Sequence, residues 1–280
     1  MRHHILLPTD FSENAWSAAL YAIKLYATKP CTFYFSHAWT FVNTGSRTYI
    51  SPSYIDKLKN SAKEQLTELT ENAKSVSTNS DHKFETIYSE DFLTESIKGA
   101  INKYAIDMVV MGTKGATGAK EFLLGSNSVT VIKKVKLCPI LLIPRNYEFV
   151  MPERIAFANG FKRSYGDELH AITKLSQLHN SNIEIVHINN KDDLTEFQNS
   201  NVKALKEFLK DHPHTFHWIP ERGKKEQILS NFIEEKDIQL LVMINYERSF
   251  IEDLLNEPII TKLGYHSIIP FMVIPHPAGS

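Results

Sequence analysis

Short apolar runs alternate along this chain with longer segments in which apolar residues recur every three or four positions. In the first half the runs near 3–8, 31–38, 83–88, 107–112 and 139–143 are apolar almost throughout, the pattern of strands covered on both faces. Between the first two, Ala15, Ala19, Ala22 and Tyr26 recur at helical spacing and predict an amphipathic helix. Ser12 is placed to cap that helix, with Asp10 and Glu13 near its positive end. Further helices are predicted over 54–77, 92–104 and 126–136. Strand and helix in strict alternation predict an α/β fold with a doubly wound parallel sheet, in which ligands sit beyond the carboxyl ends of the strands where the strand order reverses.

The pattern then repeats. Ile5 to Phe11 is matched 150 positions later by Ile155 to Phe161, and Phe33 to His37 by Ile183 to His187 at the same offset. Met108 to Met111 is matched by Leu240 to Met243, and Cys138 to Pro144 by Ile269 to Pro275, at a smaller offset because the second copy has a shorter middle. Two tandem doubly wound parallel five-stranded sheets are expected, one over 1–146 and one over 152–277. The short link 145–151 keeps the copies in contact, as in a dimer fused into one chain. An intramolecular pseudo-dimer of this kind leaves room for a homodimer of whole chains.

Composition narrows the function. Of 280 residues, 42% are apolar and 22% charged, the balance of a folded globular protein. A net charge of -1 supplies no basic field for nucleic acid or anionic lipid, so neither is an expected partner. The two cysteines, Cys31 and Cys138, lie in apolar strand-like runs without metal-ligand spacing, which suits core packing in a reducing compartment. Met1 to His4 leads directly into a strand with no apolar leader, and no run approaches the length of a membrane span, so a cytoplasmic location is expected.

The chemistry concentrates after the fourth strand. Gly112, Gly115 and Gly118 come next in the chain, and Leu124-Gly125-Ser126-Asn127-Ser128 opens the next helix. Glycines after a strand let the backbone approach a ligand and aim N–H groups at an anion. A Gly-Ser step before a helix adds amides, hydroxyls and the positive helix terminus, and Lys114 adds charge. The spacing is neither a Walker loop nor a dinucleotide fingerprint. Taken alone, the three glycines also fit an ordinary surface loop.

Taken together, these segments resemble the universal stress protein family, whose ATP-binding members carry G-x2-G-x9-G-[ST] after the fourth strand. Gly112-x2-Gly115-x9-Gly125-Ser126 fits without a gap. The family's opening strand ending in aspartate is matched by Ile5 to Asp10, its second strand ending in His plus an apolar residue by His37-Ala38, and its last strand by Cys138-Pro139 to Ile143. The resemblance implies that Pro8, Thr9 and Asp10 face adenine and ribose, and that Ala38 meets adenine through its backbone. It further implies that Met111, Gly112 and Gly115 wrap ribose and phosphates, and that Gly125, Ser126 and Ser128 hold the phosphates. The implied cofactor is ATP, with or without Mg²⁺. Ser89-Glu90-Asp91 departs from the family's frequent glycine ahead of the third helix, away from the motif.

The second copy lacks all three elements: Ile244 stands at the Gly112 position, Gly160 at the aspartate, and Asn256-Glu257-Pro258 near the Gly-Ser step. No ATP is expected in that cleft, and the copy either shields the edge of the first sheet or binds something else. His212, His214 and His217 do not converge as a zinc site would, His37 and His187 share a structural role, and Trp16, Trp39 and Trp218 are dispersed as packing residues. No nucleophile elbow or carboxylate pair marks a catalytic centre, so no catalytic or metal-binding residue is assigned. Three functions fit: an ATP-binding regulator in a stress response, a slow Mg²⁺-dependent ATPase using Lys114, or an interaction protein whose site is vestigial.

Overall fold

The computed structural model describes residues 1–40, 51–113, 125–246 and 269–276. The first five strands are β1 (His3–Pro8), β2 (Cys31–Ala38), β3 (Lys83–Ser89), β4 (Met108–Gly112) and β5 (Ile140–Ile143). The second five are β6 (Arg154–Ala158), β7 (Asn182–Ile188), β8 (His214–Ile219), β9 (Leu240–Asn245) and β10 (Phe271–Pro275). Between them run α1 (Glu13–Leu25), α2 (Pro52–Val76), α3 (Leu93–Tyr104), α4 (Ser126–Lys134), α5 (Leu169–His179), α6 (Glu196–Phe208) and α7 (Lys225–Glu235). The strands and helices expected in the first copy therefore appear with their ends shifted by a residue or two. Among the described residues no helix is long and apolar enough to cross a membrane.

Within each copy the strands are parallel, ordered 3-2-1-4-5 in the first and 8-7-6-9-10 in the second. The two five-stranded sheets do not remain separate. β5 and β10 pair antiparallel, making one ten-stranded sheet. The pairs are Ile140 with Val273, Leu141 with Met272, and Leu142 with Phe271. Met272 stands 131 positions after Leu141 at its repeat counterpart, so the ladder is centred on an equivalent pair and reads the same from either side. Apolar periodicity predicts the strands but carries no instruction about which neighbour an edge takes, and the unpaired amides of β5 and β10 satisfy each other.

Because both sheet faces are covered, the central strands β4, β5 and β10 are apolar on both sides, whereas the edge strands β3 and β8 carry exposed polar residues such as Lys83, Glu85 and Thr215. One core layer contains Ile5, Leu7, Phe33, Leu141 and Ile143 of the sheet against α1, α2, α5 and α6. The other contains Leu6, Val109, Ile140 and Leu142 against α3, α4 and α7. Each layer runs through both copies, and the link between them is packed as well. Phe149 and Tyr147 lie against Tyr21 at ring-centroid distances of 5.2 and 6.0 Å, and His179 Nε2 donates to the Leu25 carbonyl at 2.9 Å. Cys31 and Cys138 are buried free thiols, and burial pushes the Cys138 thiol up to about 12, so neither is a nucleophile at neutral pH.

Candidate functional site

In a 3-2-1-4-5 sheet the order reverses between β1 and β4, and the crevice opens beyond their carboxyl ends. Three segments are brought there. Pro8 ends β1 and is followed by Thr9 and Asp10, Ala38 ends β2, and Met111 and Gly112 end β4. Thr9 N–H donates to the Ser36 carbonyl at 2.8 Å, and Thr113 N–H to the Ile143 carbonyl at 2.9 Å, so the strand ends are tied to their neighbours.

The turn from β1 into α1 is held by side chains. Phe11 takes a left-handed φ of 64°, with its N–H donating to Thr9 Oγ1 at 2.9 Å. Ser12 N–H donates to the exposed Asp10 carboxylate at 3.1 Å, and Ser12 Oγ accepts from Ala15 N–H at 3.2 Å as the helix cap. His37 Nδ1 donates to the Thr9 carbonyl at 2.8 Å, and its ring lies 4.5 Å from Phe11.

On the other wall, Gly112 is glycine for a reason the motif spacing did not reveal. A Cβ there would sit 2.6 Å from the backbone oxygen of Asn14 in α1, closer than any such contact tolerates. Asn14 in turn donates through Nδ2 to the Thr113 carbonyl, and its buried Oδ1 has no partner among the described residues. Opposite, Gly125 is the N-cap of α4 and offers no side-chain cap, leaving the first-turn N–H groups without side-chain acceptors among the described residues. Ser126 is exposed at this helix start. Ser128 is buried and donates through Oγ to the Gly112 carbonyl at 3.3 Å, which brings the helix terminus against the end of β4. Gly115, Lys114 and Gly118 lie outside the described residues. Asn14 and Phe11 are the site-forming residues the motif did not mark. The recurrence of Phe11 as Phe161, together with that of His37 as His187, is the sequence signal for the turn.

The second copy rebuilds the same turn. Phe161 has φ 53°, His187 Nδ1 donates to the Asn159 carbonyl at 2.8 Å, and the two rings lie 4.8 Å apart. Past this turn the two copies diverge. Residues 162–168 are not helical, and α5 starts at Leu169 without a capping side chain. Ile244, at the Gly112 position, is buried. Beyond the ends of β6, β7 and β9 a cavity of about 360 Å³ opens, lined among others by Gly160, His187 and Ile244. Glu247, Arg248 and Asn256 to Pro258 lie outside the described residues. His217 Nε2 lies 2.6 Å from Glu184 Oε2 between adjacent strands, and His214 Nδ1 donates to the His212 carbonyl. Among the described residues no three metal-ligating side chains converge. Trp218 packs on Phe161 and Phe216, as a core residue does.

Comparison with known proteins agrees with this architecture. The family model described as the universal stress protein family matches residues 1–144. A universal stress protein of Bacillus subtilis is 28% identical over 138 residues, covering 48% of this chain and 92% of that protein. One from Methanocaldococcus jannaschii is 30% identical over 158 residues, covering 52% of this chain and 96% of that protein. A solved universal stress protein from Archaeoglobus fulgidus superposes with a TM-score of 0.72 at 19% identity, covering 98% of this chain and 97% of that one, and so shares the fold across both copies. The chain belongs to the universal stress protein family.

Proposed function

We propose that the chain binds ATP in the cleft of its first copy and acts as a nucleotide-responsive protein in a stress response. The observation that carries this reading is the Ser128–Gly112 hydrogen bond, which sets the uncapped amide terminus of α4 against the end of β4. A helix start with free N–H groups and a neighbouring serine is a ready anion site, and Gly125 leaves it open to phosphate. Asp10, exposed at the end of β1, is placed to accept from ribose hydroxyls, and the orphaned Asn14 Oδ1 offers a further acceptor at the same wall. Ser126 presents its hydroxyl to the phosphates, whereas the Ser128 hydroxyl hydrogen is committed to Gly112. The first copy is taken as residues 1–146 and the second as 152–277.

The second copy, in this reading, takes the place of a dimer partner. The self-matching ladder of β5 and β10 supports it, since in an isologous contact the residue that meets another's counterpart has its own counterpart met in return, as Ile140–Val273 and Leu142–Phe271 do about Leu141–Met272. Ile244 and Gly160 replace the glycine and the aspartate of the first cleft, so the second is proposed to take no ATP.

Nucleotide released by heat from freshly purified protein, separated by chromatography and weighed by mass spectrometry, tests both statements. ATP at about one equivalent per chain is expected, with none from Gly125→Glu, whose carboxylate would sit in the phosphate site. Two equivalents would overturn the silent second cleft. No nucleotide, and no uptake of added ATP, would overturn the function and leave the family.

A further inference from the structure

The cavity of the second copy is not an emptied version of the first cleft; it has a chemistry of its own. We propose that it binds a small hydroxylated organic anion, of the class of sugar phosphates and sugar acids. At about 360 Å³ it lies at the small end of ligand pockets. Its wall carries an unsatisfied acceptor. His187 is 5% exposed, and its Nδ1 is the donor to Asn159, so the neutral ring keeps a lone pair on Nε2. That atom is buried and has no hydrogen-bond partner among the described residues. Burial lowers the His187 pKa and keeps the ring neutral, so what it requires is a donor such as a hydroxyl. The Tyr165 hydroxyl is likewise buried, beside Asn159 but without a hydrogen bond of good geometry, and supplies a donor to a ligand oxygen. Unpaired buried polar atoms are costly, and two lining one cavity are accounted for by a polar guest.

The charge around the cavity is positive in balance. Glu221 lies 3.5 Å from Lys225, and Glu168 lies 3.7 Å from His276 while also accepting from Gly166 N–H at 3.0 Å. Arg163 stacks over Tyr246 at 5.5 Å, and Lys162 has no carboxylate within ion-pair distance among the described residues. An acid group at the Lys162–Arg163 side and hydroxyls at His187 and Tyr165 satisfy both ends at once. α5 starts late in this copy: Ser164, the counterpart of Asn14, stands outside the helix and lines the cavity.

The test is titration of the full chain, followed by calorimetry and thermal unfolding, with glucose 6-phosphate and gluconate as the two acid forms. Glucose and inorganic phosphate serve as the uncharged and hydroxyl-free controls. Binding of at least one acid form is expected, with both controls at least about tenfold weaker. Lys162→Glu, an exposed change that leaves the fold intact, and the isosteric Tyr165→Phe should each weaken it about tenfold, while Gly125→Glu leaves it unchanged. The proposal is overturned by no binding of either acid at concentrations up to about 10 mM. It is equally overturned by inorganic phosphate binding as tightly as the sugar phosphate, by indifference to both second-copy variants, or by loss with Gly125→Glu, which would place the ligand in the first cleft.

Discussion

After β1 the chain turns at Phe11 and enters α1 two residues later; after β6 it turns at Phe161 and enters α5 only at Leu169. The turns themselves are the same object, with left-handed phenylalanines, histidines donating to the same carbonyl and rings in the same contact. The difference lies in the segment after each turn. Asp10 and Ser12 cap a helix at once, whereas Gly160 and Lys162 provide no cap, and the first turns of the second helix are lost. The turn is thus a scaffold indifferent to ligand, and the start of the helix decides what the cleft can hold.

Four changes break or sharpen that comparison. The largest effect is expected from Ile244→Ala, which removes a buried side chain at the wall of the second cavity and should cost about 2–5 kcal/mol in urea unfolding while leaving nucleotide release from the first cleft unchanged. Gly112→Ala is the opposite experiment on the counterpart position. The added methyl meets the Asn14 backbone, so α1 must shift, at a cost of about 1–3 kcal/mol and with loss of bound nucleotide. Ser12→Ala deletes the cap and should cost about 1 kcal/mol, whereas Lys162→Ala, at the equivalent place with no helix to cap, stays within about 0.5 kcal/mol. Equal costs for these two would mean that the second helix forms early after all.

The smallest effect is in pH. Burial holds His3, His179 and His187 below the ordinary histidine value of 6.5, so the folded chain binds fewer protons than the unfolded one as the solution acidifies. Stability is complete above 6.5 and falls as pH drops from there toward the folded values. Two of these three histidines belong to the second copy, and a denaturation series at falling pH should show His187→Gln flattening the slope.

Much of this was legible in the residues. Both-face burial makes the central strands β4 and β5 of the first copy continuous apolar runs, and Ser12 announces the start of α1 through its chemistry alone. The repeat located Phe11 with Phe161 and His37 with His187. The motif marked Gly112, Gly125 and Ser126, but it could not show that Gly112 is also held as glycine by Asn14, because that approach comes from a helix 98 positions earlier in the chain. The join of β5 to β10 was illegible because strand patterning encodes faces and not edges. The second cavity was illegible too, since nothing marks where a helix declines to begin except the absence of a cap after Gly160.

The seam of β5 against β10 also changes what a mutation means. In a pair of identical subunits every substitution strikes both clefts, so a change that suits one ligand is imposed on the other. Here the two edges come from one chain, joined by a packed link of a few residues, and dilution cannot part them, because their local concentration is set by the link and not by the solution. Each cleft can then drift under its own selection while the shared ladder holds the pair together, and a single molecule carries two unlike clefts in fixed one-to-one proportion.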